Sequence, residues 1–262
     1  MQDPTGRPVN GVYGFINMTL REIDAIGPTH LAVAFDVPIA TNRRTHVYAD
    51  YKGNRAECPP DLAPQFAILR EVLTALNLPW FQVPGYEADD ILGTLSRTGE
   101  EAGMDVSILT GDRDVLQLLS GPTQVRYVKK LNNPETYDVP RFAQEFGLLP
   151  AQLTCLKGLA GDASDNIPGI HGIGAKTAVK LLQEFETLEA CLDNAHTQKG
   201  KLRERLEGGR EIALLSKRLA TIDRDVPELP GVHACDLAIN RDLGRSKFEE
   251  LRFRSLLPRM AV

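Results

Sequence analysis

No apolar run in this 262-residue chain approaches the ~18–20 residues needed to cross a bilayer. The opening residues, MQDPTGRPVN, lack the apolar core of a signal peptide, so a cytoplasmic setting is the expectation. Cysteine is sparse. Cys58, Cys155, Cys191 and Cys235 stand far apart without Cys-x-x-Cys spacing, which argues against a disulfide framework or a zinc site and fits free thiols in a reducing compartment. Internal repeats and low-complexity tracts are missing too. Nor is there an excess of positive charge: 30 Lys and Arg face 35 Asp and Glu, for a net charge of −5 and a pI near 5.6. An acidic total argues weakly against nucleic acid as a partner. Carboxylates clustered around cations reverse the local field, however, so total charge decides nothing here. What remains is ordinary globular composition, 42% hydrophobic and 25% charged.

The first half alternates between strand and helix signals. The apolar spacing from Val12 to Gly27 predicts an amphipathic helix closed by glycine. HLAVAFD, His30 to Asp36, reads as a buried strand ending in a carboxylate. A polar stretch from Val37 to Pro60 has no clean periodicity, and ordered loops this long are usually functional or mobile. A helix is expected over about 61–76, a strand over 80–83, and a helix from Glu87. A strand over 105–109, a helix over 113–119 and a last strand over 124–128 complete the alternation. This pattern implies an α/β fold with a mostly parallel central sheet flanked by helices, whose functional residues gather at the carboxyl ends of the strands. After about Pro140 the pattern turns helical. The expected division is therefore an α/β core over 1–140 and a helical lobe over 141–262.

Acidic residues stand where strands end or helices begin: Asp36; Glu87, Asp89 and Asp90; Asp112 and Asp114; Asp162 and Asp165. Any one of them is explained more simply as a helix cap, since carboxylates accept free N–H groups and meet the positive end of the helix dipole. The joint pattern asks for more. Strand ends in one sheet bring such groups to one rim, where two carboxylates ~4 Å apart repel by about 4 kcal/mol at an effective dielectric near 20. Oxygen-only ligands at this density suit Mg²⁺ or Mn²⁺. Two such ions ~3.5–4 Å apart can activate a water and stabilise the departing oxygen of a phosphodiester. Metal-assisted phosphoryl hydrolysis follows as the expectation.

Gly161 to Phe185 is the second informative stretch. Pro168, Gly169, Gly172 and Gly174 make tight turns and leave backbone N–H groups bare, and Ala175 opens a helix bearing Lys176, Thr177 and Lys180. Such a helix start binds phosphate without reading bases. The plainer account is a glycine-rich connection with no ligand, which the G-I-x-G-I-G-x-K-T order disfavours.

VYGF, LAVAFD, YADYKGNRA, GYEADDILGTL, ILTGDRDVLQLL, GLAGDASDNIPGIHGIGAKTA and LRFRSLL occur in that order and cover nearly the whole chain. Together they resemble the 5′ nuclease family, found fused to bacterial DNA polymerase I or standing alone. The resemblance implies a PIN-like core with an arch over about 37–60, and a helical lobe with a helix–three-turn–helix (helix–hairpin–helix) element over about 155–185. Asp36, Glu87 and Asp89 match positions binding the catalytic metal. Asp90, Asp112, Asp114, Asp162 and Asp165 match those completing a second site, with Mg²⁺ or Mn²⁺ as the ions. Lys52 and Arg55 match catalytic basic residues at the arch base, and Arg43, Arg44 and His46 look like arch contacts to DNA. Gly169, Gly172, Gly174, Lys176 and Thr177 match the grip on duplex backbone, with a monovalent cation at the hairpin as a further expectation. The implied function is a 5′-3′ exonuclease or 5′ flap endonuclease of replication and repair. It would act as a monomer on flaps, on duplex with 5′ single-stranded ends and on RNA–DNA primers, with a polymerase as a candidate partner and no membrane.

Family members begin with an apolar strand ending in Val-Asp-Gly, and this chain opens after that point. A misplaced start is the favoured explanation, ahead of truncation or of another segment filling the gap. Two rival functions follow. A DNA-structure binding module with impaired catalysis would bind flaps in EDTA and not cut when metal is restored. A carboxylate-rich phosphatase would turn over small phosphate esters, but it leaves the glycine hairpin and YKGNR unexplained.

Overall fold

The computed structural model describes residues 1–129 and 134–261. In chain order the helices and strands are α1 (Asn10–Ile26), β1 (Val33–Ala34), α2 (Arg43–Val47), α3 (Ala63–Ala75), β2 (Trp80–Phe81), α4 (Ala88–Glu101), β3 (Val106–Thr110), β4 (Thr123–Tyr127) and β5 (Glu135–Tyr137). Helices follow: α5 (Val139–Phe146), α6 (Leu153–Ala160), α7 (Ala175–Phe185), α8 (Leu188–Asp193), α9 (Gly200–Gly208), α10 (Arg210–Ala220) and α11 (Arg241–Glu250). Among the described residues no helix is long and apolar enough to cross a membrane.

The chain forms two compact units, the first made of Met1–Phe35, Ala56–Gln82 and Glu228–Val262. Its α1 exists because Val12, Ile16 and Leu20 recur every fourth residue and bury one face. Val9, before its first turn, offers no side-chain cap, so buried Gln65 of α3 accepts from the N–H groups of Gly11 (2.7 Å) and Val12 (3.4 Å). Gly27 ends the helix in a left-handed conformation, φ 63°, and its N–H returns to Ile23 O. Ile68, Val72 and Leu73 of α3, Phe248 of α11 and Phe253 fill the same core. The β1–β2 pair is parallel, with Val33 opposite Trp80 and Ala34 opposite Phe81. Residues 228–262, grouped by the sequence with the helical lobe, cluster here because Phe248, Phe253 and Leu256 bury against α1 and α3 residues.

The second unit comprises Asp36–Arg55 and Val83–Pro227. Its sheet runs β3-β4-β5, with β3 and β4 parallel and β5 antiparallel to β4. The parallel crossover expected from the sequence is present. Strand β5 was not expected, because three residues, Glu-Thr-Tyr, are too few to carry a period-2 signal. The 113–119 helix is a 3₁₀ turn over Asp114–Leu118. Helix α6 packs closely on α10 because Gly158 has no side chain: a Cβ there would stand 3.1 Å from Ala213 O and 2.8 Å from Leu188 Cδ2.

Phe253 stacks edge-on against Tyr13 at 5.5 Å and lies 6.1 Å from Phe248, fully buried. Phe253→Ala is expected to cost about 3–5 kcal/mol, whereas Leu243→Ala, at a position 56% exposed, should stay within about 0.5 kcal/mol. Urea unfolding monitored by circular dichroism checks both.

Candidate active site

Helix α4 begins at Glu87, whose backbone N–H is accepted by Asp90 Oδ2 at 3.0 Å, so this carboxylate caps the helix start from within its first turn. Asp36 Oδ1 accepts from the Ala88 N–H at 2.9 Å, bringing the carboxylate that follows β1 in the chain to the same helix end. Asp112 follows β3; its Oδ1 accepts the Asp114 N–H at 2.8 Å, so the Thr-Gly-Asp-Arg-Asp turn closes on its own side chain.

Asp89 sits at the focus. Burial, followed by the charges of Asp112, Asp36 and Glu87, pushes its carboxyl well above the usual range, with Lys52 offsetting only part. Four carboxylates from three stretches thus share one electrostatic environment. Glu87, Asp89, Asp114 and Asp165 also line one cavity with Arg44, Tyr51, Lys52 and Leu219.

Cations thread through the cluster. The Lys52 ammonium bonds Glu87 Oε1 and lies 3.9 Å from Asp165 Oδ2. Arg55 Nη2 donates to Asp165 Oδ1 at 2.6 Å. Lys52 has φ 55°, a left-handed conformation costly for a residue with a side chain (roughly 1–3 kcal/mol) and concentrated at functional sites. Its N–H donates to Asp165 O at 2.9 Å. Two more bonds join these loops: Asn54 Nδ2 to Ala163 O at 2.6 Å and Asn166 Nδ2 to Asp50 O at 2.7 Å. The YADYKGNR and GDASDN segments are therefore laced together by their backbones.

Arg44 and Asp90 are placed differently from the sequence expectation. Arg44 was read as a DNA contact and Asp90 as a metal ligand. The guanidinium is 8% exposed and all its donors are engaged: Nη1 on Asp90 Oδ2 (2.7 Å) and Glu87 Oε2 (3.3 Å), Nη2 on Asp90 Oδ1 (2.7 Å) and Thr221 O (2.7 Å), Nε on Leu219 O (3.1 Å). Asp90 is fully buried and also accepts from the Asp223 N–H at 2.8 Å. Burial opposes both charges, but the mutual hydrogen bonds outweigh it, lifting the arginine and lowering the aspartate. A bidentate pair of this kind is saturated, and it fastens α2 to α4 and to the end of α10. Arg43 is half exposed, 2.8 Å from Asp223 and 4.6 Å above the Tyr86 ring, and His46 is exposed on α2.

The stretch between α6 and α7 folds back through an Asp162–Ile167 bridge. Gly169, expected to offer a bare N–H, spends it on Ser216 Oγ at 3.0 Å. Its φ of 63° and the 2.1 Å that would separate a Cβ from Gly161 N explain why glycine stands there. The N–H groups of Gly172, Gly174, Ala175 and Lys176 have no acceptor among the described residues, and α7 has no side-chain cap. Lys176 is exposed beside them and Thr177 half-buried.

Two residues escaped the sequence reading. Buried Tyr51 donates its hydroxyl to Glu87 Oε2 at 3.0 Å, and burial then Glu87 hold its phenol protonated far above the ordinary range. Lys157 bridges Asp114 and Asp162. Its signal was available, since it is the sole charge in the α6 sequence LTCLKGLA. Among the described residues no three Asp, Glu, His or Cys side chains are arranged to hold a metal ion. Lys52, Arg44, Arg55 and Lys157 contact the carboxylates instead. The donor chemistry nonetheless fits a hard divalent cation: every group is an oxygen donor, and Asp89 and Asp112 have no ion pair among the described residues.

Two family models cover the chain. Residues 1–147 match the 5′-3′ exonuclease N-terminal resolvase-like domain and residues 148–241 the 5′-3′ exonuclease C-terminal SAM fold. DNA polymerase I of Bacillus caldotenax is 43% identical over 99% of this chain, and that of Bacillus subtilis 38% over 99%. The chain spans about 30% of the length of these relatives. A T5 5′-exonuclease structure with bound divalent metal ions (zinc) has a TM-score of 0.70 at 20% identity, covering 95% of this chain and 93% of its own. The catalytic core of Rad2 in complex with DNA substrate has a TM-score of 0.60 at 17% identity, covering 96% and 85%. These likenesses extend the α/β-plus-helical fold to both structures.

Arg44→Met is expected to destabilise by about 3–5 kcal/mol, because it leaves the Asp90 charge buried without its partner. Arg43→Ala, whose pair is half exposed, should cost under about 1 kcal/mol. Thermal melts of the two variants distinguish a buried clamp from a surface contact.

Proposed function

Because the chain belongs to the 5′-3′ exonuclease family, matched across both of its domains, we propose that it hydrolyses DNA phosphodiester bonds from 5′ ends and at 5′ flaps, with divalent cations. The observation that carries this reading is the convergence of acids from separate stretches: Glu87, Asp89, Asp114 and Asp165 line one cavity, and Asp36 reaches the same helix start. Carboxylates held at such density in a partly buried cavity favour a bound cation, and all-oxygen donors select Mg²⁺ or Mn²⁺ over softer ions. Asp36, Glu87, Asp89 and Asp112 would hold one ion, with Asp114, Asp162 and Asp165 toward a second. Bound there, such an ion lowers the pKa of a water and offsets charge on the phosphate oxygens. The T5 5′-exonuclease structure with bound divalent metal ions supports the coarser reading, that a protein of this fold takes divalent cations.

The chain's own residues do the rest. Lys52, fixed by its backbone on Asp165 and its ammonium on Glu87, keeps a positive charge at the cavity where negative charge grows on the scissile phosphate. Arg55, whose side chain is 42% exposed, reaches outward from the same turn to orient the 5′ strand. Tyr51 keeps its proton and holds Glu87 in place. Arg43 and His46, exposed on and beside α2, are read as contacts to the 5′ single strand. The free N–H groups of Gly172, Gly174, Ala175 and Lys176, with the Lys176 ammonium and Thr177 hydroxyl, form a phosphate grip that recognises duplex without reading bases. We read α6, this turn and α7 as the helix–hairpin–helix. The setting is cytoplasmic, with the chain acting as a monomer and a DNA polymerase as its working partner.

A 5′-labelled flap substrate tests the proposal. Mg²⁺ or Mn²⁺ is expected to produce short 5′ products, and EDTA to abolish them while leaving the flap bound. Asp89→Asn should lower the cleavage rate by about 10²–10³-fold, comparable to the loss of a preorganised charge-stabilising group elsewhere. Tight binding without cleavage at any metal concentration would instead favour a DNA-structure binding module.

A further inference from the structure

The positive charges around the carboxylates are unevenly distributed. Asp89 and Asp112 have no ion pair among the described residues, while Asp114 and Asp162 share one ammonium, that of Lys157. The Lys157 side chain is 11% exposed and, among the described residues, is the sole cation that contacts either of these two side chains. It stands in the last turn of α6, and the chain turns there so that Asp162 follows the helix end at once. Asp162 is fixed on its other oxygen by the N–H (2.8 Å) and hydroxyl (2.6 Å) of Ser164. Asp114 is fixed by its own N–H on Asp112 Oδ1 at 2.8 Å. The Asp162 carboxylate is thus held by Ser164 and the Asp114 backbone by Asp112, and the tether that joins the two carboxylates is a flexible four-carbon stem carrying a point charge.

We propose that Lys157 is the resident counter-ion of the Asp114–Asp162 pair, so that a divalent cation reaches these two carboxylates by displacing its ammonium. This rests on the metal-dependent reading above and deepens it. Ion uptake is then ordered. The first ion goes to the group containing Asp89 and Asp112, where no cation has to leave. The second enters at Asp114 and Asp162 with weaker affinity, because breaking two charge-assisted hydrogen bonds opposes its binding. The same lysine keeps the two carboxylates together when metal is scarce.

Mn²⁺ titration of the full chain, with free aquo-Mn²⁺ counted by electron paramagnetic resonance, tests this without reference to catalysis. Wild type is expected to show a tighter and a weaker class of site. Lys157→Met should tighten the weaker class by about tenfold or more, the scale of one neighbouring charge, with the tighter class unchanged. Lys157→Arg, which keeps the charge, should follow wild type. In the absence of metal Lys157→Met should melt lower than wild type, and Mn²⁺ should raise its melting temperature more. If Lys157→Met does not fold without metal, Lys157→Gln is expected to give the same tightened isotherm. A weaker class identical in wild type and the neutral variants, or both classes shifting equally, overturns the inference. If wild type takes up Mn²⁺ and cuts flaps while these isotherms coincide, the inference alone falls. If it takes up no Mn²⁺ and leaves flaps intact, the nuclease reading falls with it.

Discussion

Carboxylates from distant stretches cannot share a partly buried cavity unless positive charge is supplied, and the cavity is organised around that requirement. At an effective dielectric near 20, each close like-charge pair costs about 4 kcal/mol, which exceeds what any single packing contact returns. The protein answers with side-chain cations at most of the acids: Lys52 on Glu87, Arg55 on Asp165, Arg44 on Asp90 and Lys157 between Asp114 and Asp162. Asp89 has no ion pair among the described residues, and burial, followed by the charges of Asp112, Asp36 and Glu87, raises its carboxyl.

These cations do not play one role. Arg44 is exhausted by its partners, so its charge builds the cavity wall and is unavailable to a ligand. Lys52 and Arg55 stand on a backbone turn bonded to the Asp165 loop; the Lys52 side chain is as buried as that of Arg44, whereas that of Arg55 is 42% exposed. The difference comes from the number of partners: the Arg44 guanidinium faces two carboxylates and two carbonyls and is saturated, whereas the Arg55 guanidinium has one carboxylate partner and keeps donors to spare. The left-handed Lys52 backbone belongs to the same design, since strain of that kind persists only where surrounding bonds over-determine it.

Much of this was legible in the residues. The strand–helix alternation placed β3, β4 and the start of α4 within a residue. Positions after strands and before helices made the acids legible as candidates, and four of them, Glu87, Asp89, Asp114 and Asp165, line one cavity. What the sequence could not convey was their division of labour. Asp89 and Asp90 are neighbours of identical type, yet a 100° step around α4 sends one toward the other carboxylates and the other into the protein against Arg44. Gly169 likewise reads as one of three equivalent turn glycines, but close contact with Gly161 and a bond to Ser216, distant along the chain, reveal it as packing. Strand β5 and the grouping of residues 228–262 with α1 and α3 were hidden for the same reason: each is fixed by long-range burial, which has no local period.

Charge ordering also bears on how an acidic chain handles an acidic substrate. The formal net charge of −5 sums the whole chain, and at physiological ionic strength such a field fades beyond roughly 8 Å. Attraction has to be local. The turn before α7 supplies it with unpaired N–H groups and Lys176, at a helix start whose dipole favours anions. The cavity supplies the rest only when cations outnumber its exposed carboxylates. On the proposed reading, phosphate is repelled from the carboxylates until a divalent ion arrives, whereas the N–H groups before α7 bind duplex whether or not it has. Recognition of duplex and readiness to cut would then be separable, the first set by backbone geometry and the second by how many positive charges occupy the acidic cavity.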